Sequence, residues 1–401
     1  MNLYKHQQQL LDINPQIWAL VWSMGTGKTI GSLALANKNC KSILIICPKG
    51  LKTSWERAVK NFPFETGKSI EIITKETFRR DHKKLDRFEC VICDECHHFL
   101  GTKSAMMKSL RWYLNAHKVN YRYFLTGTPY RSSPMDIYVL ATLLGYKMDY
   151  LAFFNRFFYR IKMGHREVPM VKNGIEEEIA EIVNGLGNTV KLSDCIDMPP
   201  QTFREEYFEL TKEQKEAIKM LDDVNPVVRY GRIHQICGGT IKGDEYTDDV
   251  LIKSSKEERL FEVIEELDKV IVVCRYNLEI EKLQDIASKR FKDRKIAVIN
   301  GSINNRQEIL DELETHMKYV LFVNGACSEG WQLQSCSHMV FYSYDFSLKN
   351  KLQMEARITR IDAPRPTFYL SLICKDTIDQ AVYETLGKHM DFHIAIYKNR
   401  V

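Results

Sequence analysis

A chain of 401 residues with 44% hydrophobic and 27% charged side chains can bury two or three cores, and its balance excludes a fibrous or disordered protein. The formal net charge of +5 permits nucleic-acid binding without requiring it, no apolar run reaches the roughly 18 residues of a membrane span, and the polar start "MNLYKHQQQLLD" has no secretory core. Eleven cysteines, most of them inside apolar runs such as "SILIICP" and "VIVVCRY", suit a reducing compartment better than a disulfide framework, so the expectation is an intracellular, cytoplasmic protein.

Over residues 1–145 short β-type runs alternate with polar or amphipathic segments. "IWALVWS", "SILIICP", "CVICDE" and "YRYFLTG" are the strands, and the rhythm predicts a parallel sheet wrapped by helices. The first run leads into "MGTGKT". Gly25 and Gly27 let backbone N–H groups approach phosphate oxygens, the helix that follows adds positive potential, Lys28 reaches the β and γ phosphates, and Thr29 can ligand magnesium. The strict phosphate-loop pattern is broken, because Trp22 stands where its first glycine would be.

The stretch "CVICDECHHFL" (90–100) admits two readings. Three cysteines and two histidines suggest a metal site, but zinc spacing pairs two C-x2-C-type elements and no second one follows. In an extended strand, moreover, Cys90 and Cys96 would share a face that Cys93 does not. The preferred reading takes Asp94, at the strand's end, as a Mg2+ ligand and Glu95 as the residue that orients and deprotonates the attacking water. His97 then faces the γ-phosphate or a coupling loop, and His98 is an ordinary solvent-facing residue.

Residues 146–253 read as a helical inter-lobe segment and linker. "YLAFFNRFFYRIKMGHREVPMVK" and "GIEEEIAEIVNGL" look like helix and loop without strands, and "CGGTIKGDEYTDD" looks like a linker. From residue 254 to 401 the strand–helix rhythm returns in "KVIVVCRY", "KIAVING", "YVLFVNG", "HMVFYSY" and "TFYLSLI". Near the end of this part Gln353, Arg357 and Arg360 are spaced four and three residues apart, so a helix puts them on one face.

In chain order these segments resemble a superfamily-two helicase of the Swi/Snf type, over nearly the whole length. "LYKHQ" resembles the adenine-reading element, with Gln7 as the base contact. "MGTGKT" (Met24, Gly25, Thr26, Gly27, Lys28, Thr29) resembles motif I, "LIICPKGLKTSW" motif Ia, "DECH" motif II, and "LTGTP" motif III, whose Thr126 and Thr128 would couple hydrolysis to domain movement together with His97. "VIVVCRYNLEIEKL" and "INGSINNRQEIL" resemble motif IV and its sequel, and "ACSEGWQLQSCSHMVFYSYDFSLKNKLQMEARITRID" resembles motifs V and VI. "CIDMPPQTFREEYFELTKEQKEAI" resembles the Swi/Snf inter-lobe segment. Two departures stand out: Trp22-Ser23 replaces the usual Asp-Glu before motif I, and Cys327, Ser328 and Gln332 replace two glycines and an asparagine of motif V, where Gly330 and Leu333 survive.

The resemblance implies an α/β fold, two RecA-like parallel-sheet lobes with a small helical inter-lobe region, using ATP and Mg2+. Catalysis would fall to Lys28, Asp94, Glu95, Arg357 and Arg360, with Gly330 and Gln353 joining the nucleotide site and Thr29 and Asp94 holding the metal. An arginine delivered from the second lobe would stabilise transition-state charge on the γ-phosphate. Lys49, Lys52, Trp55, Arg275, Gly301, Arg306 and Trp331 are the expected nucleic-acid contacts, since a motor that walks on nucleic acid grips phosphates. Arg156, Arg160, Lys162, Arg166 and Lys172 add a basic stretch, alongside Phe153, Phe154, Phe157 and Phe158, whose helical spacing predicts a buried face. The expected function is an ATP-dependent translocase on double-stranded DNA, in a compact bacterial or viral form, with a protein partner supplying any further chemistry. The alternatives are a strand-separating helicase on single-stranded DNA or RNA, and a nucleotide-gated binding module without turnover.

Overall fold

The computed structural model describes residues 3–101, 104–127, 135–147, 149–163, 166–172, 176–195, 200–221, 226–243, 247–303, 305–328, 331, 333, 335–359 and 365–388. The chain divides into two compact units, residues 1–197 and 198–401.

The first unit is built on strands β1 (Ile17–Trp22), β2 (Ser42–Cys47), β3 (Ser69–Thr74), β4 (Cys90–Cys93) and β5 (Tyr121–Thr126). With a later strand they form a six-stranded sheet, every adjacent pair parallel. Parallel strands carry helices on both faces, so their sequences are apolar throughout rather than alternating. Ile43 to Cys47 of β2 and all of β4 are buried accordingly. Helix α1 (Lys5–Ile13) precedes β1, α2 (Lys28–Asn39) follows it, and α3 (Lys52–Asn61) follows β2. The sequence reading places β1, β2, β4 and β5 correctly and leaves out β3.

The region from 146 onward departs from its reading as helix and loop. The helix Tyr150–Phe157 buries Phe153, Phe154 and Phe157, as their spacing predicts. The chain then turns into an antiparallel ribbon, β6 (Phe158–Met163) with β7 (Arg166–Val171), and after the helix Glu176–Leu186 into β8 (Gly187–Val190). β8 pairs with β1 and becomes the edge of the first sheet, whose order is β3-β2-β4-β5-β1-β8. Its register admits only glycine at position 187, where a Cβ would stand 2.2 Å from the Ala19 carbonyl oxygen.

The second unit holds another parallel six-stranded sheet. Its strands are β9 (Gln201–Phe208), β12 (Lys269–Cys274), β13 (Lys295–Ile299), β14 (Tyr319–Asn324), β15 (His338–Phe341) and β16 (Thr367–Cys374), in the order β13-β14-β12-β15-β16-β9, and β10 (Thr240–Ile241) with β11 (Val250–Leu251) forms a small hairpin. Each of the five runs expected after residue 254 is a strand. The middle region therefore contributes to both units, lending β8 to the first sheet and β9 to the second.

Candidate active site

The central elements of the first sheet, β4, β5 and β1, lie side by side, so their carboxyl ends open onto one crevice. The phosphate-loop strand is not next to the acidic strand. β5 stands between them, and its end supplies Thr126 and Gly127.

At the end of β1 the chain turns through Gly25 and Gly27, with φ of 80° and 81°, before α2 begins at Lys28. Only glycine adopts these values freely. Gly27 also meets a close neighbour, since a Cβ there would stand 2.5 Å from Gln7 Nε2. Gln7 itself is buried, donates from Nε2 to the Gly27 carbonyl (3.0 Å) and accepts at Oε1 from the Tyr4 amide (2.9 Å). His6 Nε2 lies 2.8 Å from the Thr26 carbonyl oxygen, so α1 holds the loop at two consecutive carbonyls. Lys28 Nζ donates to the Trp22 carbonyl at 2.7 Å. A Cβ at Gly127 would stand 3.9 Å from Lys28 Nζ, which places Gly127 of motif III beside that lysine. Trp22, in the place of the lost glycine, is fully buried, and its indole N–H and that of Trp18 both donate to Asn188 Oδ1 on β8 (2.9 and 3.0 Å).

β4 ends at Cys93, and the next residues carry the acids. Asp94 and Glu95 are both buried. Glu95 has φ 46° and ψ 51°, a left-handed conformation rare outside glycine and asparagine that starts the short 3-10 turn Cys96–Phe99. Asp94 Oδ1 accepts from the Glu95 amide (2.9 Å) and Oδ2 from the indole N–H of Trp55 (2.7 Å). Burial, then the charge of Glu95, push Asp94 up to about 7, against the opposing influence of Trp55 and Lys28. Two buried neighbouring carboxylates call for positive charge beyond one lysine, and their oxygen donors are those a magnesium ion prefers, so the residues present fit Mg2+. His97 Nδ1 lies 3.1 Å from Glu95 Oε2 and 3.2 Å from Thr126 Oγ1, which joins motif II to motif III through one fully buried ring.

The cysteines of this stretch do not converge. Cys90 packs into the core on one face of the sheet, and Cys93 and Cys96 pack into the core on the other. The pairing differs from that expected of an extended strand, because the strand ends before Cys96. Among the described residues a metal-type grouping occurs only at Cys237, Cys374 and Asp379, where the Lys256 ammonium already stands 2.9 Å from Asp379 Oδ2.

In the second unit the motif V and VI residues meet. Ser328 Oγ donates to Gln353 Oε1 (2.9 Å), so the serine replacing a family glycine supports the glutamine of motif VI. Gln353 lies in the helix Leu348–Glu355, whereas Arg357 lies beyond its end. Arg357 is buried against its own unit, donating to the Trp331 carbonyl at 2.6 Å. Thr128, Gly330 and Arg360 lie outside the described residues.

The nucleic-acid candidates separate into two groups. Lys49 and Gly301 are exposed and Lys52 is half-exposed. Trp55 and Trp331 are buried, at 2% and 3% exposure, which corrects their reading as surface contacts: Trp55 serves Asp94, and Trp331 donates from Nε1 to the Cys327 carbonyl. Arg275 is already in an ion pair with Asp345 (2.5 Å) and stacked on Phe346, and Arg306 donates to the Asn300 carbonyl and the Cys327 sulfur. Sequence reasoning missed the roles of Trp55, Asn188 and His6. The first left a signal, a tryptophan in the mostly polar helix "KTSWERAVKN".

A glycine loop at a helix start, a buried acid pair and a histidine–threonine link between strand ends define a nucleotide-hydrolysing enzyme of the two-lobe helicase class. The chain belongs to the SNF2-related family, whose SNF2-related domain matches residues 61–274, while the helicase conserved C-terminal domain matches residues 255–362. It is an ATP-hydrolysing, helicase-like enzyme of the Swi/Snf type. Relatives include a chromodomain-helicase-DNA-binding protein 1-like from Danio rerio, 21% identical over 86% of this chain and 35% of that protein. Another is the Caenorhabditis elegans homolog of SWI/SNF-related matrix-associated actin-dependent regulator of chromatin subfamily A-like protein 1, 22% identical over 92% of this chain and 57% of that protein. The chain thus spans between about a third and three fifths of these relatives' length. Among solved structures the helicase domain of Pyrococcus furiosus Hef has the same fold, with a TM-score of 0.56 and 17% identity over 94% of this chain and 97% of that one.

Proposed function

We propose that this enzyme spends ATP to move along double-stranded DNA, remodelling DNA structures or displacing bound protein. The observation that carries the reading is the division of the machinery. The phosphate loop, the acids and the threonine-linked histidine belong to the first unit, and the glutamine and arginine of motif VI belong to the second. Hydrolysis that needs both units is hydrolysis that can drive one against the other. Lys28 and the loop amides would bind the triphosphate, Thr29 and Asp94 would hold Mg2+, and Glu95 would take the proton of the attacking water. The bound Mg2+ would neutralise charge on the phosphates. His97 would pass the state of Glu95 to Thr126, and Arg357 would leave the Trp331 carbonyl to meet the γ-phosphate. DNA as the track is supported by family membership, by the exposed Lys49 and Gly301 and by the half-exposed Lys52.

A second reading, strand separation, is favoured by the β6–β7 ribbon, which among the described residues pairs only with itself and could act as a wedge. Steady-state ATP hydrolysis with no nucleic acid, duplex DNA, single-stranded DNA and RNA, with Lys28→Ala as the blank, tests both. Stimulation by duplex is the expected result, followed by displacement of a third strand from a triplex. Stimulation by single strands or RNA alone overturns it in favour of the second reading.

A further inference from the structure

α3 is a polar helix with one fully buried side chain, Trp55. A buried indole N–H needs an acceptor, and the one it has is Asp94 Oδ2 at 2.7 Å, a charge-assisted contact to the carboxylate assigned to the metal. The other carboxylate oxygen accepts from the Glu95 amide at 2.9 Å. Two donors on two oxygens fix the carboxylate's plane and leave a second lone pair on each for a cation. The backbone donor is set by the strand end, whereas the indole donor is set by α3. One turn before Trp55 on the same helix is Lys52, half-exposed, and Lys49 is exposed on the short turn ahead of it.

We propose that Trp55 is a positioning residue for the hydrolysis, holding Asp94 in its metal-binding orientation and transmitting to it any shift of α3. The transmission part rests on the reading that Lys49 and Lys52 touch DNA. The positioning part does not. A tryptophan that merely fills space would leave the metal dependence of the reaction unchanged when replaced by another large aromatic.

The test is Trp55→Phe, which keeps a large ring and removes the donor, with Trp112→Phe on the exposed face of another helix as the control. Without nucleic acid, the Mg2+ concentration giving half-maximal hydrolysis should rise at least about threefold and kcat should fall about tenfold, the scale of one hydrogen bond to a charged group. The KM for ATP at saturating Mg2+ should stay within about twofold. Stimulation by duplex DNA should also shrink toward none. A readout independent of turnover is the indole 15N–1H spectrum of the wild-type protein, assigned by single Trp→Phe replacements. The Trp55 signal should move when Mg2+ is added to the ADP-bound protein. Unchanged Mg2+ dependence in Trp55→Phe overturns the proposal, and if that variant does not fold, an indole signal indifferent to Mg2+ overturns it instead. Wild-type protein that no nucleic acid stimulates sinks the DNA reading, while the basal Mg2+ dependence still judges Trp55.

Discussion

The side chains proposed to do the chemistry are few and their neighbours are specific. Lys28→Ala should abolish hydrolysis, and Glu95→Gln should retain ATP binding while lowering kcat by at least about a hundredfold, as expected when a positioned general base is removed. Binding of a fluorescent ATP analogue beside turnover checks both. A different residue-scale prediction concerns the second unit, where Lys256 and Asp379 form a fully buried ion pair, with the Cys374 amide donating to the same oxygen of Asp379. Burial alone would raise Asp379, but the Lys256 ammonium and the other donors hold it down at about 2, below its ordinary 3.8. A carboxylate depressed in the folded state contributes stability above its unfolded pKa and loses it as pH falls toward the folded one. The pair's contribution should therefore be intact above pH 4 and fade between about 4 and 2, whereas Asp379→Asn should cost about 3–5 kcal/mol at neutral pH by stranding a buried ammonium. Urea unfolding at several pH values measures both.

At the scale of elements, β8 is the test piece. Four residues long, it closes the first sheet and gives the Asn188 acceptor to the indoles of Trp18 and Trp22. Gly187→Val should force it off β1, since the added atoms would overlap the Ala19 carbonyl. The expected loss is about 1–3 kcal/mol or more. Weaker ATP binding should accompany it, because Trp22 directly precedes the phosphate loop. Thermal unfolding with and without ATP reports each. β8 also shows what the sequence hides. Runs such as "SILIICP" announce buried parallel strands by composition alone, and the motif residues could be placed on their ends. "GNTV" has one apolar residue in four, so its strand character comes from its partner and not from its own pattern. The same holds for β9, whose exposed, charged sequence "QTFREEYF" becomes a strand through its pairing with β16. At the candidate site the residues that the fold brings together, Asp94, Glu95, His97 and Thr126, were legible, and the layer that orients them was not. A tryptophan read as a surface contact turned out to be a donor to Asp94, because nothing in its own neighbourhood names a partner 39 residues away.

For the whole molecule, the division at residue 197 predicts how the chain can be cut. A fragment of residues 1–197 should fold and bind ATP without hydrolysing it at the full rate, since the motif VI residues lie elsewhere. A fragment of residues 1–145 lacks β8 and should aggregate or bind ATP poorly. Solubility and nucleotide titration of the two fragments decide the matter.

That closing strand also sets an order in time. The strand that leads into the phosphate loop is finished at Trp22, but its outer partner begins only at Gly187. At about 5–20 residues per second of synthesis, the interval is roughly 8 to 30 seconds. Throughout it the nascent chain presents an apolar, unpaired edge beside its future nucleotide site. The ribosome-bound chain is thus at risk of pairing wrongly beside the proposed nucleotide site, and a nucleotide analogue added during translation should capture the lobe only after residue 190 has emerged.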